Sequence, residues 1–215
     1  MTLFDENSSD MITFKPLRGP GMKKRSAPWV MGLLLLSLGP PALAAWDLQQ
    51  LMDSLAQNKS ALATFVETQH LALLNKPIES SGELFFTAPD RLEKRTIKPK
   101  PESMTVNGGE LLIERGTQKY RLQLQSYPEL AAFIVSVRGT LAGDRKALES
   151  VYRLRLEGAA NRWTLHLQPL TDAMQATLRS IRIEGTHDQL RRIEITQADG
   201  DSSLMVIEKK AAPQW

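Results

Sequence analysis

The chain has 215 residues, 42% hydrophobic and 24% charged, with 13 glycines and 12 prolines, which is a globular composition and excludes a disordered, collagen-like or coiled-coil protein. It contains no cysteine and three histidines, so disulfide scaffolds, zinc knuckles, iron–sulfur clusters and thiol catalysis fall away, and a histidine-built metal site is disfavoured. The net charge of +3 is concentrated before residue 45, where five basic residues face three acidic ones; the remainder is close to balance and offers no long-range field to attract nucleic acid.

Residues 1–21 are polar and mixed in charge, and they precede a short positive segment, Met22-Lys-Lys-Arg25. An apolar run, Val30 to Leu38, follows, then the breaker Gly39-Pro40-Pro41 and the small-residue site Ala42-Leu43-Ala44. That order predicts a secretory signal peptide over 22–44. Its apolar run is about half of the roughly 20 residues a membrane span needs. Residues 1–21 are read as a start called too far upstream, with Met22 the initiator; a genuine extension is the alternative.

From Ala45 to Trp215 a single domain is expected, long enough to bury roughly 70% of its unfolded surface. Asp47 is placed to cap a helix carrying Leu48, Leu51, Met52 and Leu55 at helical spacing, ended by Asn58-Lys-Ser60. The period then becomes two. Ala63, Phe65, Glu67 and Gln69 alternate with Leu62, Thr64, Val66 and Thr68. Strands are expected over 82–87, 91–98, 102–106, 110–115 and 119–125, with turns at Asn75-Lys-Pro77, Ala88-Pro89-Asp90 and Asn107-Gly108-Gly109. Tyr127-Pro128-Glu129 then opens a helix with Leu130, Phe133, Ile134, Val137 and Leu141 on one stripe, and a short helix over 145–149 follows Gly143-Asp144. Strands resume over 151–157, 163–168, 176–184, 189–197 and 202–209, with a tight turn at Asp199-Gly200.

About nine to eleven strands are expected, each apolar on one face. Leu154 and Leu156 alternate with Arg153 and Arg155, and Ile181 and Ile183 with Arg182 and Glu184. This predicts a mainly β protein with helices (α+β), built on one large curled antiparallel sheet or a barrel. Such a sheet encloses a large apolar volume, filled by its own side chains or left hollow beneath the helices. Candidate cavity residues are Phe65, Leu84, Phe86, Leu92, Met104, Leu122, Leu124, Leu165, Leu167, Ile181 and Ile183 on the sheet. Leu130, Phe133, Ile134, Val137 and Leu141 are the candidates on the covering helix. Either Phe85 or Phe86 must face outward.

Enzyme motifs are lacking: there is no G-x-S-x-G, H-E-x-x-H, P-loop or G-x-G-x-x-G. His70, His166 and His187 are far apart in sequence. Asp199-x-Asp201 is read as a turn and not a calcium loop. Arg191-Arg192 and Lys209-Lys210 are read as solvated residues, with contact to anionic headgroups by Lys209-Lys210 and Trp215 as a weaker alternative. No cofactor and no metal are expected.

The order of elements resembles the periplasmic outer-membrane lipoprotein carrier family LolA. The likeness rests on Phe65-x-Glu67, Gly82-Glu-Leu-Phe-Phe-Thr-Ala-Pro89, the Asn-Gly-Gly hairpin, the helical insertion and the final meander. Leu74-x-x-Pro77, Pro89-x-Arg91-Leu92, Lys98-Pro99 and Leu141-Ala-Gly-Asp144 resemble its divergent LolA-like subgroup. The resemblance implies an incomplete β-barrel with a helical lid over an apolar cavity. It also implies a monomeric, non-enzymatic periplasmic carrier of lipoprotein acyl chains or a related lipid, passing cargo from an inner-membrane donor to an outer-membrane acceptor. Two positions depart from the family pattern. Ala88 stands where the family has the arginine that latches the lid, leaving Arg91 as the latch candidate, and the extra terminal strand is lacking. The competing reading is a periplasmic assembly or scaffold protein that holds a peptide or a strand edge.

Overall fold

The computed structural model describes residues 46–210. The expectations for 1–21 and 22–44 therefore lie outside the described residues. Helix α1 (Leu48–Leu55) begins on a capping box. The Asp47 carboxylate accepts from the Gln50 backbone N–H at 2.9 Å, and the Gln50 side chain accepts from the Asp47 N–H at 3.2 Å. The helix ends at Leu55, before Asn58, and buries Leu51, Met52 and Leu55 on its apolar stripe.

Six strands follow: β1 (Ser60–His70), β2 (Ile78–Thr87), β3 (Arg91–Lys98), β4 (Glu102–Asn107), β5 (Glu110–Arg115) and β6 (Gln118–Gln123). Strand β2 starts four residues before the expected Gly82. Leu124 leaves the sheet for a 3-10 turn over Leu124–Ser126, where an unbroken strand to Gln125 was expected. Helix α2 (Pro128–Ala142) carries Pro128 in its first turn and ends on Gly143 in the left-handed region, φ 65°. A Cβ at Gly143 would lie 2.2 Å from the Met52 carbonyl oxygen, so the glycine lets the end of α2 settle on α1. After α3 (Arg145–Glu149) come β7 (Tyr152–Ala159), β8 (Arg162–Pro169), the short α4 (Asp172–Gln175), β9 (Leu178–Thr186), β10 (Gln189–Gln197) and β11 (Ser202–Lys209). Sequence periodicity missed α4, because one helical turn is too short to show a period.

The eleven strands of the described residues form one antiparallel sheet in the order β6-β5-β4-β3-β2-β1-β11-β10-β9-β8-β7. Two meanders are stitched together by pairing of β1 with β11, for example Phe65 with Ile207 and Glu67 with Met205. The sheet does not close: β6 and β7 are its edges. The stretch that joins those edges contains α2 and α3, so the chain carries both helices from one rim of the sheet to the other.

Two packed clusters lie on the concave side. In the larger one, Leu51, Met52 and Leu55 of α1 and Leu148 of α3 pack with Trp163, Leu165, Leu167, Ile181 and Ile183. In the smaller, Ile134 of α2 packs with Val106, Leu111 and Leu124. The convex face is solvated and laced with ion pairs, such as Arg182 with Glu194 and Arg95 with Glu93, each at 2.7 Å. Isolated exposed pairs of this kind contribute about 0–1 kcal/mol each. No helix among the described residues is long and apolar enough to cross a membrane.

Gly82 is the tightest point of the first meander. A Cβ there would sit 1.9 Å from the Arg95 backbone oxygen, beside a register shift between β2 and β3. Because the obstacle is backbone, it cannot swing aside. Gly82→Ala is expected to destabilise the fold by about 3 kcal/mol, read as a lowered urea midpoint.

Candidate functional site

Strand side chains alternate between faces, so one residue in two lines the concavity. The β2–β3 register places Phe86 against Leu92 and Leu84 against Lys94. The next ladders add Met104 and Val106 from β4 and Leu111 from β5. Across the β1–β11 seam, Ala63, Glu67, Ile193, Ile195, Met205 and Ile207 face the same space. Between this wall and α2 the structure leaves a cavity of about 510 Å³. That size lies within the roughly 300–1,000 Å³ of small-molecule sites.

Helix α2 presents two different faces. Its small buried residues Ala132, Ser136, Gly139 and Thr140 are not among those that border the cavity, and Gly139 lies against Leu148 of α3. Ser136 and Thr140 satisfy their hydroxyls on the helix's own carbonyls, of Phe133 and Ser136, both at 2.6 Å. The larger Leu130, Phe133, Val137 and Leu141 border the cavity. Arg138 donates from Nη1 to the Gly108 carbonyl oxygen at 2.8 Å, tying α2 to the β4–β5 turn.

The wall is not uniformly apolar. Glu67 is 5% exposed. Its carboxylate accepts from Ser203 at 2.7 Å, from Ser80 at 3.4 Å, and from the Lys94 ammonium. The Lys94 Nζ lies 5.0 Å from the centre of the Phe65 ring. Burial by itself raises the Glu67 carboxyl, but the Lys94 charge with the Lys94 and Ser203 hydrogen bonds outweighs it and holds the group below its ordinary 4.5. Behind α2, burial pushes the Tyr152 phenol well above its ordinary value.

The structure divides the sequence-derived site residues into two sets. Leu84, Phe86, Leu92, Met104, Leu130, Phe133, Ile134, Val137 and Leu141 come together around the cavity. Leu165, Leu167, Ile181 and Ile183 instead lie under α1 in the larger cluster, because the α1 stripe fills that half of the concavity. Leu122 and Leu124 belong to the smaller cluster. Phe65 is buried on β1 beneath the Lys94 ammonium. Phe86 is buried, and its neighbour Phe85 lies 4.8 Å from the Arg95 guanidinium. Arg91 is half exposed and pairs with Glu93 of its own strand at 3.5 Å, whereas Arg138 bridges α2 to the sheet.

Sequence reasoning also missed residues. Ile193 and Ile195 carried the same alternation signal as their neighbours. Glu67 and Lys94 were visible as charges on the apolar phase of their strands, beside Phe65 and Leu92. Arg138 had no signal, since its partner is a backbone carbonyl 30 residues away.

The family described as outer membrane lipoprotein carrier protein LolA-like matches residues 40–213. No curated protein matches the chain by sequence. Among solved structures, a LolA superfamily protein from Nitrosomonas europaea is similar at 11% identity and a TM-score of 0.45, over 80% of this chain and 96% of that one. The MucA/MucB complex of Pseudomonas aeruginosa gives 16% identity and 0.46, over 78% of this chain and 59% of that one. The lipoprotein LppX of Mycobacterium tuberculosis gives 10% and 0.41, over 77% and 94%.

Two outcomes follow from this geometry. Arg138→Ala removes a charged hydrogen bond from the cover, so faster amide hydrogen exchange is expected in α2, with a global cost of about 1.5–3 kcal/mol at most. For Glu67 the folded value lies below the unfolded one, so its contribution is complete above about pH 4.5 and is lost as pH falls through the folded value. Urea midpoints of the wild type should therefore drop along this acid limb, and Glu67→Gln, starting lower, should show a flatter one.

Proposed function

The chain belongs to the outer membrane lipoprotein carrier protein LolA-like family, and from that membership we propose that it is a periplasmic carrier. It takes the acyl chains of lipoproteins, or of a related lipid, into the cavity beneath α2 and shuttles them from the inner to the outer membrane. The observation that supports this most is a hollow of about 510 Å³, walled mainly by leucine, isoleucine, phenylalanine and methionine and covered by α2.

Each methylene moved from water into such a site contributes about 0.8 kcal/mol, so an acyl chain is held without any covalent step. A carrier must also release. Helix α2 rests on the wall through Ile134, its partly buried neighbours Leu130 and Phe133, and the Arg138 bond, contacts that must part for the cover to open. Transfer then needs only a gradient of affinity from an inner-membrane donor, through this protein, to an outer-membrane acceptor. The signal peptide read over 22–44 delivers the chain to the periplasm, where such a carrier works. Arg138 serves as the lid latch in place of the arginine that the family carries where this chain has Ala88.

Purified protein is expected to carry lipid detectable by mass spectrometry, and after delipidation to take up the neutral fluorophore N-phenyl-1-naphthylamine with a rise in emission. Folded protein that holds no lipid and leaves the fluorophore dark would overturn the proposal. Binding of a protein partner with no lipid uptake would favour the scaffold reading.

A further inference from the structure

A charged pair set in the wall of an apolar hollow calls for an explanation, because a buried ion pair seldom improves on apolar residues of the same size. Here the pair is assembled with some care. Glu67 on β1 and Lys94 on β3 meet across β2, where the concave position between Ser80 and Leu84 is Gly82 and has no side chain to separate them. Both charges, with Ser203, border the cavity.

The Glu67 oxygens already accept three hydrogen bonds, from Ser203, Ser80 and Lys94. An ammonium has three N–H donors. One serves Glu67 and the face of Phe65 lies near Nζ, so donor capacity is left over at the cavity wall. The Lys94 ammonium thus presents a free charged donor to the cavity. The pair is also neutral as a whole: an incoming carboxylate would gain Lys94 but meet the Glu67 charge beside it in a poorly screened place. An ester or amide carbonyl gains the same donor without that repulsion.

We propose that Lys94, held in place by Glu67, is the polar recognition point of the cavity and selects acyl chains that end in an uncharged ester or amide carbonyl over free fatty acids. This rests on the reading of the cavity as an acyl-chain site. The chains then lie along Leu84, Leu92 and Met104 toward α2, with the carbonyl at Lys94.

The test is displacement of bound N-phenyl-1-naphthylamine from the purified protein at about pH 8 by 1-lauroylglycerol and by laurate, below their micelle concentrations. The wild type is expected to favour 1-lauroylglycerol at least about tenfold. Glu67→Gln leaves the Lys94 charge unbalanced and should swing preference toward laurate. The double substitution Glu67→Met with Lys94→Met replaces both charges by apolar groups, should fold, and should bind the two ligands within about threefold. Equal wild-type affinities, or an unchanged preference in both variants, would overturn the role of Lys94 while leaving the acyl-chain site intact. If the fluorophore itself fails to bind folded wild-type protein, the carrier reading falls and this inference with it. Circular dichroism melts of each variant establish folding, and the wild-type preference stands as a test even where a variant unfolds.

Discussion

The pairing of β1 with β11 is the constraint on which the rest of the molecule depends. It joins a meander from the first half of the chain to one from the second and buries their seam in the middle of the sheet. The strands from the middle of the chain, β6 and β7, are thereby left as the two edges. Any segment linking them must pass from rim to rim of a curled sheet. The helices that interrupt the strand pattern occupy that link, and their buried apolar residues hold them on the concave face.

What lies beneath them is decided by the sizes of side chains. On one side the α1 stripe inserts Leu51, Met52 and Leu55 among the inward residues of β8 and β9, and the space closes. On the other, Leu130, Phe133, Ile134, Val137 and Leu141 of α2 fringe a gap between the helix and the wall. An unfilled apolar space forfeits dispersion contacts and costs stability in proportion to its volume. The larger packed cluster supplies the stability that permits such a gap in the neighbouring half. Filled core and hollow are thus two uses of one sheet face, separated by which helix covers them.

The Glu67–Lys94 pair adds a directional element to a hydrophobic site that has none of its own. Burial of methylenes sets how strongly a chain is held but says little about which end of it goes where. A fixed ammonium among apolar groups supplies that orientation. Its geometry depends on Gly82, where the absence of a side chain lets β1 and β3 groups meet and lets the backbone of β2 approach that of β3. The same glycine therefore serves both the fold and the polar spot.

The fold was legible in the sequence to a large degree, because a period of two, tight-turn residues and a proline-led helix are local signals. The edges of β3, β5, β10 and β11 could be read from them, as could Asp47 as a cap and Leu130, Phe133, Val137 and Leu141 as the inward stripe of α2. The candidate site was legible only in part. Alternation tells which residues point inward, and it treats Leu165 and Leu84 alike, yet one lies beneath α1 and the other borders the cavity. That difference depends on where a helix distant in sequence comes to rest. The bond from Arg138 on α2 to the β4–β5 turn depends on where that helix docks, and the meeting of Glu67 with Lys94 on strand register. The sequence by itself determined that one face of every strand would be apolar and that helices would cover it. Only the tertiary structure decided where the covered space is filled and where it stays empty, because packing is a property of side chains brought together from separate elements.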